Sequence, residues 1–335
     1  MQKPDFTRWT SLGAMSFETA MSPSPKSGRK SAARAKPTAR QRHPRLNPMM
    51  VCDTAFRLVA RRWLADLTAN HDATCQGNAD ALHQMRIALT RLRAAISFFA
   101  PMVSDPKRTQ IWAELKWLHG DLGVVRDLDV AIEHLKASNK QASPASTDYR
   151  SWNSKRAESH RQLARVLRSA RYRRLVESVT GWIESGPWST RKGKQAAQRR
   201  GSPIAAYSAR KLARWQERLL KKSRKLEKMD AKKRHRVRLL NKKLCYSIEF
   251  LEDLHSDRRF SKQPVALKYL RKAQKSLGRL NDDANRRSLT AALERDGVQA
   301  SLPFLGSKGE RRLIRTAGKA YRKLAALKSV SDLRR

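Results

Sequence analysis

A basic helical signature occurs twice in this chain, and it constrains the fold more than any other feature. His83-x-x-Arg86-x-x-x-x-Arg91-Leu92-Arg93 aligns without a gap on His235-x-x-Arg238-x-x-x-Lys242-Lys243-Leu244-Cys245, 152 residues later. At about 100° per residue, His83, Arg86, Thr90 and Arg93 fall within about 80° of one another on a helix, and Leu82, Met85, Leu89, Leu92, Ile96 and Phe99 fill the neighbouring stripe. Each copy therefore predicts a helix with one apolar face and one cationic edge. A second repeat supports the first. Leu122-Gly123-Val124-Val125-Arg126-Asp127 resembles Leu277-Gly278-Arg279-Leu280-Asn281-Asp282 at an offset of 155 residues. A period of that length is too long for a solenoid and points to a duplicated half-domain.

The charge balance says what such helices would face. The chain has 335 residues, 73 of them Lys or Arg against 29 Asp or Glu, for a formal net charge of +44. Solubility needs far less, and like charges packed together repel one another, a cost that a polyanionic partner relieves. Nucleic acid, an acidic membrane surface and an inorganic phosphate polymer are the candidates. Apolar residues make up 40% of the chain, enough for a globular core. Cys52, Cys75 and Cys245 are scattered and form no C-x-x-C pair, so neither a disulfide framework nor a zinc site is expected, and a reducing cytoplasm fits best. No apolar run approaches a membrane span, and the first residues lack the apolar core of a secretory signal.

Residues 22–48 are rich in Ser, Pro, Arg and Lys and contain no acid, which marks 1–48 as a disordered basic tail rather than a transit peptide. From residue 49 the pattern is almost wholly helical. Helices are expected near 50–70, 79–100, 107–119, 122–137, 147–168 and 171–184, and then near 204–229, 231–254, 264–277, 279–295 and 308–328. Turn residues separate them, among them Gly77-Asn78, Ser143-Pro144, Gly186-Pro187 and Pro264. Asp105-Pro106 and Ser202-Pro203 each read as an N-cap followed by Pro at the first helical position. The first helical half is then 49–185 and the second 204–330, each with enough helices for a bundle of four or more. Residues 186–203, with five basic side chains and no acid, read as a flexible basic linker between them.

Catalytic patterns are scarce. The chain has no Gly-rich phosphate loop, no H-E-x-x-H, no G-x-S-x-G and no Glu-x-Glu-x-Lys pattern of a triphosphate-cleaving tunnel. No catalytic residue, metal site or cofactor is expected, since acids are too sparse for a divalent-cation cage. The basic helices carry the signal instead. Arg offers a planar fork of donors to phosphate oxygens, Lys a point charge, and His a group that gains charge beside an anion. A single basic helix edge is ordinarily solvated surface, but the same edge in both halves argues for a shared anionic ligand. Asp127 and Asp282 either bind metal or, in the plainer reading, orient a neighbouring Arg or cap a helix start. Tyr246 and Glu249 are explained by packing as well as by binding. No aromatic residue lies within either basic motif, which favours bare phosphate over stacked bases.

At these residues the chain resembles the CHAD domain family. The resemblance rests on residues 82–93, on Leu122-Gly123-Val124-Val125-Arg126-Asp127-Leu128-Asp129-Val130, on residues 235–249 and on residues 277–282, four motifs in order over about residues 50–328. It implies an all-α fold of two four-helix-bundle-like halves, related by a pseudo-twofold duplication around a basic central channel. It also implies binding of inorganic polyphosphate and association with polyphosphate granules. The phosphate ligands it implies are His83, Arg86, Arg91, Arg93, His235, Arg238, Lys242 and Lys243, and Arg126 is expected to bind phosphate with them. Two positions depart from the pattern: Cys245 stands where an Arg is usual, and Thr90 stands opposite Lys242. The expected function is non-catalytic polyphosphate binding. A nonspecific nucleic-acid-associated protein is the alternative, and an enzyme acting on phosphate polymers is a third reading that the missing motifs disfavour.

Overall fold

The computed structural model describes residues 45–138, 147–295 and 304–327. Among these residues the fold is all-helical, and the one pairing of extended backbone is an isolated bridge between Val51 and Pro203. The basic tail lies outside the described residues up to position 44. Of its last four residues, Leu46 is buried and donates its backbone N–H to Asp253 Oδ2 at 3.1 Å.

The first group of helices is α1 (Cys52–Ala69), a short α2 (His71–Cys75), α3 (Ala79–Phe98), α4 (Pro106–Ser138), α5 (Thr147–Leu167) and α6 (Ala170–Ser185). Then come α7 (Lys194–Gly201), α8 (Ile204–Ser223), α9 (Ala231–Phe250), α10 (Gln263–Arg295) and α11 (Ser307–Ala326). Helices α1, α3, α4 and α6 pack in a closed ring, with α5 laid on α4. Helices α8, α9, α10 and α11 close a second ring, and α3 meets α9 between the two.

Local side-chain chemistry sets several of the helix starts. Gly77, at φ +83°, turns the chain into α3, and the Asn78 side chain accepts from the N–H groups of Asp80 and Ala81. Asp230 caps α9 by accepting from Lys233 N at 2.6 Å. Asp105 is the expected cap of α4, with Oδ1 2.6 Å from Arg108 N and Pro106 as the first helical residue. Its other oxygen accepts from Trp182 Nε1 at 3.0 Å and Trp188 N at 3.1 Å, so one carboxylate ties the start of α4 to the end of α6. Ser202 does not cap α8. The helix starts one residue later, Pro203 takes the cap position, and the Ser202 hydroxyl donates back to Gln198 O.

Two further expectations are corrected. The helices expected at 107–119 and 122–137 are the single α4, and those at 264–277 and 279–295 are the single α10, each 33 residues long. The reason is packing. Leu118, Leu122, Val125, Leu128 and Ile132 keep the apolar stripe unbroken across Gly120 and Gly123, and each glycine inside a helix costs only about 1 kcal/mol. Asp127 and Asp282 are therefore mid-helix residues and cap nothing. The segment 186–203, read as a flexible linker, is ordered: it contains α7, and Trp188 is fully buried, donating Nε1–H to Trp182 O at 2.7 Å. Arg200 fastens it further through the carbonyls of Trp188 and Arg191.

One hydrophobic core runs through both rings of helices. At their junction Phe98 meets Tyr207, Trp215 and Phe250 edge-on with ring centroids 5.2–5.7 Å apart, and Phe99 stacks on Tyr207 at 5.9 Å. The Tyr207 hydroxyl donates to Phe98 O at 2.8 Å, which satisfies its one buried polar atom. This junction fixes α3 against α9 and so positions the two basic edges.

Candidate functional site

The centre is built from α3, α4, α9 and α10. On α3, Leu82, Met85, Leu89 and Leu92 are buried in the core, and Arg86 sits beside them at 1% exposure. None of the three guanidinium nitrogens of Arg86 has a hydrogen-bond partner among the described residues. Burial pulls its pKa down to about 10; the Asp127 carboxylate opposes that shift, while the charges of Arg126 and Arg238 add to it. Arg238 on α9 is likewise buried, at 4% exposure, and burial lowers its pKa against the pull of Asp282, Tyr246 and Asp127. The two motif arginines, one from each basic helix, thus share one electrostatic neighbourhood. A buried charge is costly unless it is paired and hydrogen-bonded, so Arg86 is a cation with unused donors.

The two motif histidines are half-buried at the edge of this centre. His83 is pushed down to about 4, by burial first and then by Arg126 and Arg86. His235 is also pushed down to about 4, by burial and Arg238, with the Asn281 side chain acting in the opposite direction. Both rings are neutral at pH 7. Asp127 and Asp282 share Arg238 as an electrostatic neighbour. Burial raises Asp127 to about 6 against Arg86, Arg126 and Arg238. Burial raises Asp282 to about 8 against Arg238 and Arg286, with Asp127 reinforcing the rise. The two acids lie in the electrostatic neighbourhood of the arginines, and neither caps a helix start. No group of three or more His, Cys, Asp or Glu side chains with metal-holding geometry occurs among the described residues.

The remaining motif residues are divided in their engagements. Arg93 lies over the Trp112 ring at 4.9 Å, and burial lowers its pKa. Lys242 lies 5.5 Å from the Tyr246 ring. Lys243 is lowered by burial and by Arg93 and Arg218, which places it on the Arg93 side of the centre. Arg126 is close to Arg86 but also donates to Glu133 Oε1 at 3.0 Å. Arg91 is turned aside. Its guanidinium donates to Glu249 Oε2 at 3.3 Å and lies between the rings of Trp63 and Tyr246, at 4.8 and 5.6 Å. Glu249 also accepts from Arg271 at 2.9 Å, so Arg91 and Glu249 form a latch between α3 and α9. The Thr90 hydroxyl donates to Arg86 O at 2.8 Å, inside its own helix. Cys245, at the position matching Arg93, is buried in the core.

Two residues of the centre carry no signal in the repeated motifs. His119 on α4 is pushed well below its ordinary pKa by burial, with Arg86, Arg93, Lys242 and Arg238 adding to the shift. Its seven-residue spacing from Arg126, two helical turns, is the pattern that marks it. Arg286 on α10 follows Asp282 by one turn and pairs with Asp283 at 3.3 Å.

The class of protein these features define is an all-helical one whose two helix rings bring arginines from separate basic helices to a part-buried cationic centre. The CHAD domain family model matches residues 58–291, and the chain belongs to that family. Among solved structures it is similar to the crystal structure of the CHAD domain from the plant Ricinus communis. The TM-score is 0.69 at 22% identity, with 88% of this chain and 98% of that chain covered. It is also similar to PptA from Streptomyces chartreusis, with a TM-score of 0.52 at 14% identity, covering 83% of this chain and 97% of that one. At these identities both likenesses speak to the fold. No curated protein matches the chain.

Proposed function

We propose that this protein binds inorganic polyphosphate at the centre between its two basic helices and does not cleave it. The family is generally associated with polyphosphate binding. The observation that carries the reading for this chain is Arg86: a fully buried guanidinium, with cationic neighbours on two other helices and no hydrogen-bond partner on any nitrogen. A phosphate oxygen accepts from such a fork and relieves the repulsion from Arg126 and Arg238 at once. In this reading α3–α4 and α9–α10 are duplicated units that line a basic channel. His83, Arg86, Arg93, Arg126, His235, Arg238, Lys242 and Lys243 contact successive phosphates, and Arg91 holds the two units in register. Asp127, held near 6, serves as an internal counter-charge that the polymer displaces, while Asp282, held near 8, is largely protonated at pH 7. Association with polyphosphate granules follows from the same binding. Among the described residues no helix is long and apolar enough to cross a membrane.

Competition tests the reading. Labelled long-chain polyphosphate is bound at about 150 mM salt, where exposed charges more than about 8 Å apart are screened, and then challenged with duplex DNA, RNA and heparin. The expected result is that polyphosphate survives a large charge excess of each competitor. Displacement in proportion to competitor charge would mean a general polyanion binder, such as a nonspecific nucleic-acid protein, and would end the assignment. Release of orthophosphate by the purified protein would end the non-catalytic part of it.

A further inference from the structure

A second strongly basic feature lies on α11, beyond the stretch that the family model matches. Lys308, Arg311, Arg312, Arg315, Lys319 and Arg322 are all exposed and line one open groove of about 640 Å³. On a helix these six positions fall within about 100° of one another and extend over about 21 Å. The opposite face of α11 is buried through Leu313, Ile314, Ala317, Ala320, Tyr321 and Leu324. The stripe is therefore mounted on a fixed helix. Among the described residues none of the six cations lies within ion-pair distance of a carboxylate, whereas Arg234, Arg271 and Arg287 each have one. The single acid lining the groove is Glu227, from the short 3₁₀ turn Leu226–Lys228.

We propose that the α11 groove is an outer binding site for a second segment of the same phosphate polymer, an inference that rests on the reading of the centre given above. Four of the six cations are Arg, and their forked donors at three- and four-residue spacing suit a row of phosphate oxygens. No aromatic, Asn or Gln side chain lines the groove, so it has neither a platform for bases nor amides for base edges. A backbone that is all phosphate is the polymer it fits. Linking a second site to the centre through one chain raises affinity without any change at the centre.

The test compares two folded variants that lose the same charge. One carries Arg311, Arg312, Arg315, Lys319 and Arg322 as Gln; the other carries the exposed Arg150, Arg161, Arg165, Arg173 and Arg174 as Gln. Long-chain polyphosphate and charge-matched duplex DNA are titrated from about 50 to 200 mM salt. The expected result is that the α11 variant loses at least tenfold in polyphosphate affinity and flattens the log–log salt slope by about 3, while the control changes little. Glu227→Gln should tighten binding by a few-fold. Equal losses in the two variants overturn the inference, as does a loss confined to DNA. If the unaltered protein holds polyphosphate no better than DNA, the reading of the centre has failed; the α11 site is then judged by whether the two variants still differ toward polyphosphate. The same comparison in Arg86→Met protein reads the outer site apart from the centre.

Discussion

Arg86 shows how a residue proposed to bind phosphate opposes the fold that carries it. A buried guanidinium without hydrogen bonds gives up hydration and receives little in return, and an apolar side chain of similar length removes that penalty. Arg86→Met is therefore expected to raise the stability of the ligand-free protein, by on the order of 1 kcal/mol or more, with Asp127 still facing Arg126 and Arg238. Polyphosphate affinity should fall in the same variant. One charge-assisted hydrogen-bonding group is worth about 1.5–3 kcal/mol, roughly ten- to a hundredfold in Kd. Urea denaturation and a binding titration on the same preparation check both signs. A variant that is less stable yet binds normally would show Arg86 to be structural. Arg91 makes the contrast: its charge is already met by Glu249 and two aromatic rings, so its loss should weaken the α3–α9 junction before it weakens binding.

At the scale of elements, glycine separates what the sequence shows from what packing decides. Gly278 lies inside α10, and a methyl group placed on it meets nothing within 4 Å. Gly278→Ala should therefore stabilise the protein by about 0.5–1 kcal/mol, because Ala restricts the unfolded chain and favours the helix. A lower denaturation midpoint would show that α10 needs flexibility at this point. The same residue explains an error of reading. Gly123 and Gly278 look like turns because their local penalty is visible in the chain, whereas the apolar stripe that overrides it depends on neighbouring helices. Asp105-Pro106 was legible because cap and first turn are local, but the second role of Asp105 was not, since Trp182 and Trp188 are some eighty positions away. The ordering of 186–203 was hidden for the same reason: its composition is that of a linker, and its anchor is the one buried ring of Trp188. In the centre, helical spacing identified the basic edges. It could not show that Glu249 would claim Arg91 from 158 residues away, or that His119 would be buried within the electrostatic reach of Arg86, Arg93 and Arg238.

For the whole molecule, the centre is a set of coupled protonation equilibria spread over four helices, and an arriving polyanion acts on all of them in one direction. Without ligand, His83 and His235 are held near 4 by burial and the adjacent arginines, Asp127 is held near 6 and Asp282 near 8. A negative chain placed among these groups favours protonated imidazoles and protonated carboxyls, so each pKa rises on binding. Binding therefore takes up protons at a pH above the ligand-free value of each group and below its value in the complex. For the histidines this window opens at about 4, and for the carboxyls it opens at about 6 and 8. Internal phosphates of the polymer stay ionised across this range, so the protein supplies the pH dependence. Affinity should rise as pH falls from 7.5 to 5.5, by about tenfold for each full proton taken up per pH unit. Calorimetry in two buffers of different ionisation enthalpy measures the uptake directly, and His83→Asn with His235→Asn should reduce it at pH 5.5 while leaving the carboxyl contribution near pH 7. Binding that neither takes up protons nor strengthens toward pH 5.5 would place the polymer away from His83, His235, Asp127 and Asp282, on the outer surface of a molecule whose charge alone suffices to hold it.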